Sequence, residues 1–197
     1  MNTINKKALE KLASKPIFTA KDARAEGIHP SNLSYYVKTN LIERVARGVY
    51  RGLNTQVDVE FQWEDLVLTA HSIPNGVICL ISALALYELT DEIPRAHWIA
   101  IPHATTAPKR ENTRFIRMRD METGKTMRLI GSETVRIFTI ERTIIDTFRY
   151  LGKEVAIKAL KAALKPNRHT KLNLKKLREY AKIFRIDIDP YLMTITT

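Results

Sequence analysis

Three side chains of this 197-residue sequence approach the arrangement that metal-dependent phosphodiester cleavage needs. In that chemistry two carboxylates hold a divalent cation, and a lysine two positions after the second shares their strand face. Asp120, Glu122 and Lys125 come nearest, but the lysine is displaced by one residue and Thr123-Gly124 in between has the character of a hairpin turn. A nuclease is therefore the weaker reading. The histidines, His29, His71, His97, His103 and His169, never fall three or four apart, and Cys79 is the sole cysteine. No metal site, disulfide or cofactor is expected from them. Arg142 and Asp146 are four apart, the spacing of an ion pair along one helix, with Glu141 beside them. No glycine run could cradle a phosphate. The expectation is a protein that is not an enzyme.

Charge is the more informative property. Lys and Arg number 32 against 21 Asp and Glu, for a net charge of +11. Such an excess favours anionic partners, nucleic acid foremost. It is unevenly distributed: residues 1–57 carry +6, residues 58–99 carry −6, and residues 153–197 carry +7. A basic head and a basic tail separated by an acidic segment suggest modules. No apolar run reaches the length of a membrane span, since Gly76 to Leu86 is interrupted by Ser82, and Met1 to Glu10 lacks a secretory core. The expected setting is the cytoplasm, without a membrane partner.

Positioning such side chains requires folded elements, and the pattern supplies two sets. Residues 3–13 suit an amphipathic helix. Thr19 can cap a second helix, with Asp22 three residues on, and Gly27 can end it in the left-handed conformation. A third helix follows Pro30-Ser31, with Ser31 as its cap, and ends near Asn40. Ile42 to Ala46, a turn at Arg47-Gly48, and Val49 to Arg51 form a hairpin. Beyond residue 55 the pattern becomes mixed: helices over 61–72 and 82–89, a short buried strand or helix entrance at 77–80, strands near 98–101, 114–118, 127–130 and 135–138, and a helix capped by Thr139. Helices over about 153–164 and 171–184, separated at Pro166-Asn167, close the chain. The expected fold class is α+β, with a winged helix-turn-helix domain over 1–55 and a mixed α/β domain ending in helices over 56–197.

The second and third helices have helix-turn-helix spacing. Ala23 falls fifth from Thr19 and Gly27 ninth, with Ile28, Leu33, Tyr36 and Val37 as the apolar underside. Ser31, Asn32, Ser34, Tyr35 and Lys38 can then donate to base edges or phosphates in a major groove. Arg44, Arg47 and Arg51 on the hairpin suit the backbone or the minor groove. His29 is expected in an exposed turn, with a cap or a phosphate contact near the third helix as the alternatives. Lys171, Lys175, Arg178 and Lys182 recur at i, i+4, i+7 and i+11 beside Leu174, Leu177, Ala181 and Phe184, and are a candidate second nucleic-acid surface or a solvated face.

The stretch Phe18-Thr19-Ala20-Lys21-Asp22-Ala23, the helix from Pro30, and Leu41 to Tyr50 with its Ala-Arg-Gly-Val-Tyr at 46–50 resemble the N-terminal winged helix of AbiEi-type antitoxins. Thr139-Ile140-Glu141-Arg142-Thr143-Ile144-Ile145-Asp146 resembles the motif that opens a helix of the C-terminal domain in the same group. The resemblance implies a repressor that binds inverted repeats in its own promoter on double-stranded DNA. It also implies an antitoxin, of type IV, against an AbiEii-like nucleotidyltransferase toxin encoded nearby, without a stable complex between them. The alternative is a toxin-neutralising interaction module whose DNA binding is incidental.

Overall fold

The computed structural model describes residues 3–15, 17–53, 58–165 and 171–196. The chain is mixed α+β, with nine helices and two sheets among the described residues. By compactness it forms two units, residues 1–74 with 128–135, and residues 75–127 with 136–197. The first contains the whole 1–55 segment and extends past it.

In the first unit, helix α1 (Thr3–Ala13) is followed by strand β1 (Phe18–Thr19), helix α2 (Ala20–Ala25), helix α3 (Pro30–Lys38), and strands β2 (Ile42–Ala46) and β3 (Val49–Gly52). The strands form an antiparallel sheet of order β1-β3-β2. Three helices with such a hairpin make a winged helix-turn-helix. Its core unites Leu9 and Leu12 of α1, Ala23 of α2, Ile28 of the turn, Leu33 and Tyr36 of α3, and Ile42 of β2. Two-residue β1 was not foreseen: Phe18 and Thr19 look like a helix lead-in, yet they pair with Tyr50 and Val49, and the Phe18 ring stacks on Tyr50 at 5.7 Å. Helix α4 (Phe61–Ser72) completes the unit together with residues 128–135. There Ser132 N–H donates to Asp58 O at 2.7 Å. His71 Nε2 lies 3.1 Å from Glu133 Oε2, an ion-pair distance without hydrogen-bond geometry.

The second sheet has the order β6-β5-β4-β8-β7, built from β4 (Val77–Ile78), β5 (His97–Pro102), β6 (Thr113–Met118), β7 (Lys125–Ile130) and β8 (Glu133–Phe138). Strand β4 runs antiparallel to β5 and parallel to β8, while β5 and β6 are parallel. Helix α5 is Leu80–Leu86, starting and ending earlier than the expected 82–89. Helix α6 (Ile140–Tyr150) is the hub, in contact with α5, with α7 (Lys153–Leu164) and with α8 (Leu174–Ile183). A ninth helix, α9 (Asp189–Thr196), was not anticipated, because Pro190 and a short mixed run hide its period. It is anchored by Ile188 and Leu192, and Tyr191 packs on Phe148 at 4.9 Å. Among the described residues no helix is long and apolar enough to cross a membrane. Pro166, Asn167 and His169 lie outside the described residues.

Candidate nucleic-acid interface

The turn between α2 and α3 is built from local chemistry. Thr19 accepts the Asp22 N–H at 3.2 Å, while Asp22 Oδ2 accepts the Thr19 N–H at 2.7 Å and lies 2.7 Å from the Thr19 hydroxyl, a reciprocal capping box. Burial opposes ionisation of Asp22, but these bonds, with Lys15 and His71 nearby, hold its carboxyl below the ordinary value of 3.8. Gly27 adopts φ +79°, so the chain leaves α2 in the left-handed region and Ile28 drops into the core.

The cap of α3 corrects the sequence reading. His29, not Ser31, is the N-cap: its Nδ1 accepts the Ser31 N–H at 3.3 Å. Pro30 has a fixed φ and no N–H, which suits the first helical position and moves Ser31 to the second. The Ser31 hydroxyl lies 2.7 Å from the same Nδ1. The signal was present in the sequence as a polar residue directly before a helix-opening proline.

With Leu33 and Tyr36 buried, Ser31, Ser34, Tyr35 and Lys38 share the opposite face of α3 at i, i+3, i+4 and i+7, all exposed. Tyr35 is 57% exposed although it is aromatic. Asn32 sits half-buried on the flank of that stripe. On the hairpin, Arg44 and Arg47 are exposed, and Arg44 Nε reaches Ala46 O at 3.4 Å. Among the described residues neither Lys38 nor Arg47 pairs with a carboxylate. Arg51 is different: it bonds Glu43 at 2.8 Å and lies 3.5 Å from Glu64, so α4 and β2 hold its charge within the unit.

In the second unit Arg142, Asp146 and Glu141 are held in a network of hydrogen bonds and ion pairs. Arg142 is fully buried, and donates from Nε to Asp146 Oδ2 at 2.8 Å, from Nη1 to Thr123 O at 2.6 Å and from Nη2 to Asp120 O at 3.0 Å. Its guanidinium lies between the rings of Phe138 and Phe184, at 4.4 and 4.1 Å. Arg149 bonds the other Asp146 oxygen at 2.6 Å. Burial raises the Asp146 pKa above 3.8, and both arginines counter it. Glu141 accepts the Asn173 N–H at 2.9 Å, tying the start of α8 to α6. Asp120 accepts the N–H groups of Glu122 and Thr123, and Lys125 pairs with Glu122, so the nuclease-like trio is occupied within its own loop. Cys79 is buried, which pushes its thiol well above 9.0.

The C-terminal basic stripe is less regular than its sequence spacing. Helix α8 starts at Leu174, capped by Asn173, so Lys171 precedes it. Arg178 bonds Asp189 at 2.9 Å. Lys175 and Lys182 remain exposed on the outer face, as does Lys176, which the spacing had not singled out. Leu177 and Ala181 pack inward, whereas Leu174 is 40% exposed.

Residues 7–51 match the family model described as a transcriptional regulator, AbiEi antitoxin. That stretch covers α1 through β3, the elements that present the α3 stripe and the hairpin arginines. No curated protein matches the chain.

Proposed function

We propose that this chain is a sequence-specific regulator of double-stranded DNA that represses its own promoter and serves as the antitoxin of an AbiE-like pair. The observation that carries the reading is the outward stripe of α3, Ser31, Ser34, Tyr35 and Lys38, backed by a buried core and flanked by Arg44 and Arg47. A helix of this kind enters the major groove, where Ser31, Asn32, Ser34, Tyr35 and Lys38 meet base edges or phosphates. Arg44 and Arg47 position the protein on the backbone. Arg51 joins them only by leaving Glu43 and Glu64. The match over residues 7–51 supports the regulator half of the proposal, and the reading assigns it an operator of inverted repeats. The antitoxin half assigns a nucleotidyltransferase-like toxin encoded nearby. The 1–55 segment is the DNA-binding domain of this reading, and the outer lysines of α8, Lys175, Lys176 and Lys182, are its second nucleic-acid surface.

The test is binding to the upstream DNA of the chain's own coding region against scrambled DNA, across about 50–200 mM salt. A preference of about 10³ supports a specific regulator. Equal, steeply salt-dependent binding overturns it. Arg47→Ala should lower the salt slope by about 0.9, the share of one phosphate contact. A full-length Ser34→Ala/Lys38→Ala/Arg47→Ala variant that no longer binds DNA, yet still protects cells from the neighbouring toxin, places neutralisation outside α3 and the hairpin.

A further inference from the structure

We infer that the free edge of β7 pairs with the β7 edge of a second copy of this chain, antiparallel, about a two-fold axis at Met127. The five-stranded sheet ends in β6 on one side and in β7 on the other. A sheet edge presents unpaired main-chain groups, a template for another strand unless charge or proline guards it. Strand β6 is guarded, since Arg114 and Arg117 stand exposed along it. Strand β7 contains no proline, and its lysine, Lys125, is turned back onto Glu122. It offers instead Met127 and Leu129, two apart on one face and 58% and 66% exposed.

The main chain of β7 is phased for such a pairing. Strands β7 and β8 are neighbours joined through Gly131-Ser132, an antiparallel hairpin. Gly124 O accepts the Thr139 N–H at 2.7 Å, so Gly124 turns its main-chain groups toward the β8 side. That direction alternates along a strand, which turns the groups of Lys125, Met127 and Leu129 to the free edge. Lys125 N–H is bonded to Glu122 O at 3.0 Å, which leaves its carbonyl for a new partner. A second β7 must set these outward residues against one another. With the axis at Met127, the Met127 pair exchanges both its bonds, and each Leu129 N–H donates to Lys125 O of the other copy. Thr126 then faces Arg128, and no like charges are opposed. Shifting the axis to Arg128 sets two arginines directly opposite, which is unfavourable. Shifting it to Thr126 carries Leu129 past the start of the other strand. The edge is thus complementary to itself in charge and in apolar contact. A two-fold pair of copies also has the symmetry of an inverted-repeat operator, although the pairing itself needs no DNA.

The test is the oligomeric state of the full-length chain without DNA, by sedimentation over about 5–200 μM. One pair of strands is a small interface, so a dimer with a dissociation constant of about 10–100 μM is expected. Met127→Lys/Leu129→Lys sets lysine against lysine across the axis and should raise that constant about tenfold or more. Thermal unfolding reports that this variant stays folded, as the exposure of both side chains leads one to expect. Disulfide trapping reads the register. Opposed residues of a bonded pair have Cα atoms about 5.5 Å apart, within disulfide reach, so Met127→Cys should cross-link under mild oxidation. The two copies of Leu129 are offset by about 14 Å, so Leu129→Cys should cross-link about tenfold more slowly or less. Cys79 is buried and takes no part in either reaction. A chain that stays monomeric throughout overturns the inference. So does a dimer that the double lysine variant leaves intact, since the contact then lies elsewhere, and so do equal cross-linking rates, which mean random collision. None of these readouts involves DNA, so failure of the DNA-binding reading and failure of this inference are seen separately.

Discussion

Replacing Arg142 by methionine keeps most of the volume of its aliphatic stem but removes the guanidinium. Asp146, whose side chain is 1% exposed, would retain only Arg149 as a charged partner. The carbonyls of Thr123 and Asp120 would lose their donors, and the Phe138 and Phe184 rings would lose the cation between them. Breaking a buried ion pair from one side costs about 3–5 kcal/mol, and each buried acceptor left unmade adds to it unless water enters. A net loss of about 4 kcal/mol is the expected outcome. With a urea slope of about 2 kcal/mol/M, the midpoint falls by about 2 M. The chain carries its own reporters for the assay: Trp63 belongs to the first unit and Trp98 to the second. In a Trp63→Phe background, Trp98 fluorescence follows the unit that contains Arg142. Arg142→Lys should lose more than half as much, because one ammonium cannot serve a carboxylate and two carbonyls in the guanidinium's planar geometry. The double variant Arg142→Met/Asp146→Leu should recover part of the loss, since it leaves no buried charge unpaired. A midpoint shift below about 0.3 M for Arg142→Met would show that water replaces the guanidinium, and the account of this network would be wrong.

Three further outcomes are expected. Gly124 has φ +73°, and a Cβ there would lie 2.6 Å from Arg142 Cβ, whereas at Gly152, with φ +97°, it would meet nothing within 4 Å. Gly124→Ala should therefore cost about 3 kcal/mol and Gly152→Ala about 1 kcal/mol by chemical denaturation, and equal costs would discount the close approach. Because the Asp22 carboxyl is held below 3.8 in the folded chain, its contribution is present above that pH and lost as pH falls through the folded value. Asp22→Ala should cost about 1 kcal/mol at pH 7, a gap that narrows below about pH 3.8, and a gap that widens there has the wrong sign. Lys175→Glu/Lys182→Glu should flatten the salt dependence of DNA binding by about 1.8 if α8 meets two phosphates. An unchanged slope leaves these lysines as a solvated face.

Elements with a sustained period were legible in the sequence. Helix α4 was expected at 61–72 and α7 at 153–164, as observed, and the strands expected at 98–101, 114–118 and 135–138 lie within β5, β6 and β8. Short elements whose existence depends on distant partners were not legible. The two residues of β1 become a strand only because Tyr50 and Val49 are there to pair with them. The Arg142–Asp146 spacing predicts the ion pair and is silent on its burial, since the same i, i+4 pattern ordinarily marks a solvated helix face. What distinguishes it is supplied from elsewhere in the unit: two carbonyls of the β6–β7 loop and the rings of Phe138 and Phe184. The α8 stripe erred in the opposite direction. Periodicity extended it back to Lys171, whereas Asn173 caps the helix two residues later and its side chain accepts the Lys176 N–H. For α3, the stripe at 31, 34, 35 and 38 followed from the apolar spacing, but its cap, His29, lies outside the helix, where periodicity has nothing to say.

The division of the first unit between residues 1–74 and 128–135 bears on how the protein is made. A ribosome releases the capping box, α3 and α4 well before Gly131, Ser132 and Glu133, the residues that meet Asp58 and His71. At roughly 5–20 residues per second the delay is about 3–12 s, long compared with the formation of a helix or hairpin. During that interval the three-helix core can assemble while α4 still lacks its final neighbours. A nascent chain stalled near residue 115, with α4 outside the exit tunnel and residues 128–135 not yet made, should therefore show a protected core from α1 to β3 and an α4 open to proteolysis, and protection of α4 should arrive only once residue 135 has cleared the tunnel.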